Sequence, residues 1–131
     1  MERGEIGGRA IQPRGDAVPA FTEQDVRDYL SSLPLGPLMG SRIVLRDQPM
    51  ITQIVFTTIH DLGRAIGDGY WEASYPADLL ICYVELSGHL QFLGLGSRAP
   101  QGEGLNTAFV LFDSRTGHHF VTGAPARASW A

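Results

Sequence analysis

Two stretches of this chain alternate with apolar residues in both rows, and this pattern restricts the fold more than any other feature. In residues 79–87 one row is Leu80, Cys82, Val84 and Leu86, and the other is Ile81, Tyr83, Glu85 and Ser87. In residues 106–113 one row is Ala108, Val110 and Phe112, and the other is Phe109 and Leu111. Successive residues of a strand point to opposite faces. A sheet built from such strands therefore needs cover on both sides, because its second face is too apolar to stand in water.

One source of cover is plain. Residues 22–33 form the clearest helical signal. Thr22 and Asp25 make a T-x-x-D capping box, and Phe21 with Val26 fits a hydrophobic staple. Val26, Tyr29, Leu30 and Leu33 follow at i, i+3, i+4 and i+7, which is a single apolar stripe. Glu23, Asp25 and Asp28 sit early, where the helix dipole favours acids. Pro34, Gly36 and Pro37 end the run.

After the helix come further strand signals at 42–46, 50–58, 89–95 and 118–123, and a short helical pattern at 59–66 with Leu62, Ala65 and Ile66 apolar. Ser87-Gly88 reads as a turn into the 89–95 strand, 96–104 as a Gly-rich loop, and 113–117 as a tight turn. Short connections favour antiparallel neighbours. The fold class predicted is α+β: one N-terminal amphipathic helix packed on a curved antiparallel sheet of four to six strands. Residues 1–20, with four Gly and two Pro, read as a flexible N-terminal arm, and 21–131 as a single α+β domain.

One helix covers one face only. The loop 67–78, a second copy of the chain or a protein partner is then required for the other. Tyr70, Trp71 and Tyr75 in that loop, together with Ile81, Tyr83, Phe109 and Leu111 on the uncovered face, are the candidate partner contacts. Trp130, beside the C-terminus, reads as a tether or an anchor.

Composition removes several classes of function. The net charge is −4, against a basic footprint for nucleic acid. All ten basic residues are Arg, so no lysine serves a Schiff base or a phosphate loop. No apolar run reaches the ~18 residues of a membrane span. With one cysteine no intramolecular disulfide forms. No apolar core of a signal peptide follows the first charges, which gives a cytoplasmic location by default, or an exported one if a leader is missing from this sequence.

The individual motifs read as structure. Gly94, Gly96 and Ala99 match a dinucleotide fingerprint, but Pro100, Gly102 and Gly104 stand where its helix must open. His60-Asp61 lacks the further ligands of a metal phosphohydrolase and fits the opening of a short helix. His118 and His119 are strand neighbours that point apart. Cys82 stands in an apolar row and reads as buried, not nucleophilic. Arg14-Gly15-Asp16 is a tripeptide that arises by chance. No catalytic residue, cofactor or metal is expected.

The run Leu80-Ile81-Cys82-Tyr83-Val84-Glu85-Leu86-Ser87-Gly88, followed by Val110-Leu111-Phe112-Asp113-Ser114-Arg115-Thr116-Gly117, resembles the PepSY-like proteins, which are small cystatin-like domains. The shared features are an apolar strand that ends in a small-residue–Gly turn and a later strand that ends in a D-x-x-T-G turn, with an amphipathic helix ahead of both. The resemblance implies a non-catalytic domain, linked to peptidase inhibition or extracytoplasmic regulation, with no catalytic residues to carry over. The function expected is a non-catalytic protein-binding or regulatory domain. Two other readings stay open: a structural protein that forms a homo-oligomer or filament, and a small-molecule-binding domain with a pocket between helix and sheet near His89 and His118.

Overall fold

The computed structural model describes residues 11–15, 18–37, 43–67, 73–92 and 104–123. The element order is α1 (Glu23–Ser31), β1 (Gly36–Pro37), β2 (Ile43–Leu45), β3 (Met50–Thr58), α2 (Ile59–Ile66), β4 (Leu80–Phe92), β5 (Gly104–Asp113) and β6 (His119–Gly123). The six strands form one antiparallel sheet in the order β1-β2-β4-β5-β6, with β3 also paired to β4. Two helices with an antiparallel sheet agree with the α+β class.

β4 is the spine of this sheet. Its first half, from Leu80 to Ser87, pairs with β3, and its last residues, from Leu90 to Phe92, pair with β2. Its other edge pairs with β5 along nearly its whole length. The Ser87-Gly88 turn predicted from sequence is instead a bend inside β4. Gly88 has φ +143°, and the register with β5 slips between Ser87 and Leu90, which are the marks of a bulge. The glycine provides the backbone freedom, but the strand continues through it. A Cβ there would lie 3.6 Å from the Pro49 Cα, so the chain segment that joins β2 to β3 passes close by.

Helices lie on both faces, which corrects the expectation of one. The first core holds Val26 and Leu30 of α1, with Phe21, against Cys82, Val84, Leu86, Ala108, Val110 and Phe112. Its helix starts as the sequence predicts: the Thr22 hydroxyl accepts from Asp25 N–H, and the Asp25 carboxylate accepts from Thr22 N–H at 2.9 Å. Such caps contribute about 1 kcal/mol each. The second core holds Ile59 and Leu62 of α2 against Ile81, Tyr83, Phe109 and Leu111. α2 is capped by Thr58, whose hydroxyl accepts from Asp61 N–H, and stopped by Gly67 in the left-handed region. Each large apolar side chain fully removed from water contributes roughly 1.5–3 kcal/mol, so both faces are strongly held.

The described residues of the predicted flexible arm, 11–15 and 18–20, are docked on the fold. Ile11 is buried in the α1-side core. Its N–H donates to Gly117 O at 2.9 Å, and Ala20 N–H donates to Ser114 O at 2.8 Å. Arg14 meets Asp25 with two hydrogen bonds at 2.7 Å. Gly117 has φ +80°, and a Cβ on it would overlap the Ile11 carbonyl. That turn therefore requires glycine twice over, for its backbone angle and for the arm that lies on it.

Candidate functional site

Five of the seven predicted contact residues do come together, but as core. Ile81, Tyr83 and Leu111 are fully buried and Phe109 nearly so, beneath α2. Tyr83 and Phe109 stack with ring centroids 5.8 Å apart, and the Tyr83 hydroxyl donates to Glu85 Oε1 at 2.9 Å. Tyr75 packs edge-on to Phe120 at 5.3 Å. These side chains meet α2 and one another, where a partner was expected. The cover comes from the short helix at 59–66, with help from Tyr75 of the loop and from Leu79 just before β4. Tyr70, Trp71 and Trp130 lie outside the described residues, as do the glycine motif at 94–99 and Asp16 of the tripeptide.

The histidines are dispersed. His60 is exposed on the first turn of α2, and His89 is exposed with its Nδ1 3.4 Å from Asp47. His118 is exposed and His119 buried, as strand neighbours should be. Burial pushes His119 down to about 4, so the ring is neutral at physiological pH. Its Nε2 meets the Thr122 hydroxyl, and its Nδ1 is buried with no hydrogen-bond partner among the described residues. Burial pushes the Cys82 thiol up to about 12, which leaves no thiolate for nucleophilic chemistry. Among the described residues no group of three His, Cys, Asp or Glu side chains could hold a metal ion. No helix among them is long and apolar enough to cross a membrane.

Two features that sequence reasoning missed stand out instead. One is the far edge of β3. Among the described residues, no strand pairs with it. Met50–Thr58 contains no charged residue, no proline and no glycine, although natural edge strands are commonly blunted by such residues. A register slip between Ile51 and Gln53 marks a bulge near the start, and pairing to β4 is regular from Gln53 to Thr58. The signal was present in the sequence as an uncharged nine-residue run, but its place at an edge was not. The opposite edge, β6, is five residues long and carries a slip of its own next to Phe112.

The second feature is a cavity of about 260 Å³ at the end of the sheet where β3 runs into α2. Val18, Pro19, Phe56, Thr57, Thr58, Asp61, Leu80 and Ser114 line it. It does not include His89 or His118, the polar groups predicted for a pocket. Its lining comes from four segments distant in sequence, so no local motif announces it.

No family model matches the chain, and neither a curated protein nor a solved structure matches it. The PepSY-like resemblance is neither supported nor opposed by these comparisons.

Proposed function

We propose that the protein is a non-catalytic protein-binding domain that self-associates, with the β3 edges of two copies pairing antiparallel into one continuous sheet. The observation that carries this reading is the long uncharged edge. A chain with net charge −4 ordinarily resists its own copy. β3 brings no charge to such a contact, so two copies related by a two-fold axis meet there without like charges face to face. Main-chain hydrogen bonds then supply affinity, as in other strand-addition contacts. Met50, an apolar side chain 67% exposed at the start of the strand, would be covered in the process. The second sheet face is filled by α2, which leaves the β3 edge as the surface that supports this reading.

Light scattering coupled to size exclusion tests this across a concentration series. The expected result is a mass that rises from one chain to two, and a Met50→Lys/Thr52→Lys variant that stays monomeric with unchanged circular dichroism. A wild-type chain that is monomeric at every concentration rejects the reading, and so does a dimer that the double variant leaves intact.

A further inference from the structure

The direction of each main-chain group on β3 follows from two hydrogen bonds elsewhere in the sheet. Successive residues of an antiparallel strand turn their N–H and C=O alternately to one neighbour and to the other. Ser114 N–H donates to Leu80 O at 3.0 Å, in line with the β4–β5 ladder, so Leu80, Cys82, Val84 and Leu86 turn toward β5. Ile81, Tyr83 and Glu85 then turn toward β3, where they face Thr57, Val55 and Gln53. The bond from Ile59 N–H to Leu79 O, also 3.0 Å, continues that ladder two residues further.

Ile54, Phe56 and Thr58 are left with main-chain groups directed away from β4. Thr58 is the N-cap of α2, so its carbonyl is turned into the helix. On the other side the register slips before Gln53. Within the regular stretch, Ile54 and Phe56 are thus the residues that each hold out both a donor and an acceptor, placed evenly about Val55. Side-chain burial stops at the same edge. Ile81, Cys82, Tyr83 and Val84 of β4 are fully buried, whereas Ile54, Val55 and Phe56 are half-buried. Ile54 and Phe56 pack on the α1-side core and Val55 on the α2-side core, so both cores end unfinished along β3.

We propose that two copies meet at this edge in one register, with Val55 opposite Val55 of the partner subunit and Ile54 opposite the partner's Phe56. The inference rests on self-association through β3 and specifies its geometry. A two-fold axis at Val55 exchanges Ile54 with Phe56, so every donor and acceptor that these residues hold out is paired. An axis moved to Ile54 sets Phe56 against Thr52, inside the bulge. An axis moved to Phe56 sets Ile54 against Thr58, whose carbonyl is already taken. The axis stands perpendicular to the sheet and keeps like faces on like sides, so both cores run across the join. The contact uses one edge of each copy and closes on itself, which stops assembly at two chains.

Cysteine pairs read this register, because the native thiol, Cys82, is buried. The Cα atoms of a non-hydrogen-bonded antiparallel pair lie about 4.5 Å apart, within reach of a disulfide. Under mild oxidation Val55→Cys is expected to run as a linked dimer on a non-reducing gel, and the wild-type chain as a monomer. Gln53→Cys and Thr57→Cys should each stay unlinked alone and link when mixed, since this register alone sets the two opposite each other. Linkage in either of these experiments supports the register. Light scattering on the unmodified chain separates the two readings. A mass of one chain at every concentration rejects self-association and the register with it. With a mass of two chains, the register alone is overturned if neither experiment gives linkage, or if Val55→Cys links only when mixed with Gln53→Cys or Thr57→Cys. A mass that climbs past two chains overturns the closed contact.

Discussion

The two faces of the sheet are covered by helices of similar length that hold their places by different means. α1 carries a full capping box and is braced from outside by the arm, with Arg14 on Asp25 and Ile11 tucked beneath. α2 is connected directly to β3, and the carbonyls of Ala77 and Leu79 receive its first N–H groups. The α1 side also holds a neutral buried imidazole, His119, edge-on to Phe112 at 6.2 Å. The α2 side instead satisfies its buried polar group internally, through Tyr83 and Glu85. One face is closed by a long-range clasp and the other by chain continuity, so they should fail under different insults.

Truncation of the two central leucines is the strongest way to break the comparison. Leu30 and Leu62 are each at most 2% exposed, and Leu30→Ala and Leu62→Ala should each cost about 3 kcal/mol in urea unfolding. If Leu62→Ala costs less than about 1 kcal/mol, α2 is an ornament on the sheet and the two faces are not equivalent.

A smaller effect separates the clasp from the helix it braces. Gly117→Ala forces a side chain into the left-handed region and into the Ile11 carbonyl. A loss of about 2–3 kcal/mol is expected, with faster amide exchange at Ile11 and proteolytic cutting around residues 11–20 while the α2 face stays protected. Uniform loosening of both faces would show that the arm belongs to the whole core and not to one side.

Acid should also act on one side first. The folded-state value of His119, about 4, lies below its ordinary value near 6.5. Above that ordinary value the ring is neutral in both states and the fold has its full stability. As pH falls from 6.5 to 4 the unfolded chain takes up the proton first, and stability declines, by an amount of order 2 kcal/mol. A His119→Gln variant should flatten that part of the stability–pH curve, with wild-type spectral changes first at Tyr29 and Phe112, which meet edge-on at 5.8 Å. An unchanged slope in the variant would assign the acid response elsewhere; Asp25, whose carboxyl is held well below its usual range by Arg14 and by the Thr22 N–H, loses its contribution only at more acid pH, below the ordinary carboxylate range.

The same contrast explains what could be read from the sequence. α1 was legible because its signals are local: a cap, a stripe and a stop within a dozen residues. β3 was placed from residue 50 to 58 for the same reason, by β-branched composition between turn residues. The assignment of the two apolar rows was also legible, since Cys82, Val84 and Leu86 do share one core and Ile81 and Tyr83 the other. What covers the second row was not, because α2 reaches Phe109 and Leu111 across some fifty residues and no local pattern encodes that meeting. Gly88 misled for a related reason. A glycine after a strand reads as a turn, and only pairing with β2 and β5 beyond it shows that the strand goes on. The docking of the arm was hidden likewise: Ile11 belongs to no periodic apolar pattern, and its pocket is made by a turn more than a hundred positions later. The cavity has the same origin, since Val18, Thr57, Leu80 and Ser114 meet only in the finished fold.

The central position of β4 has a consequence for how such a chain leaves the ribosome. β2 and β3 both wait for β4, and α1 packs on residues of β4 and β5. Until about residue 92 has emerged from the exit tunnel, the nascent chain therefore carries an uncharged strand with nothing to pair with, and the core under α1 stays incomplete until β5 follows, at about residue 113. The sheet cannot close before β4 and β5 are both available, and the interval before that is when a chaperone would find most to hold.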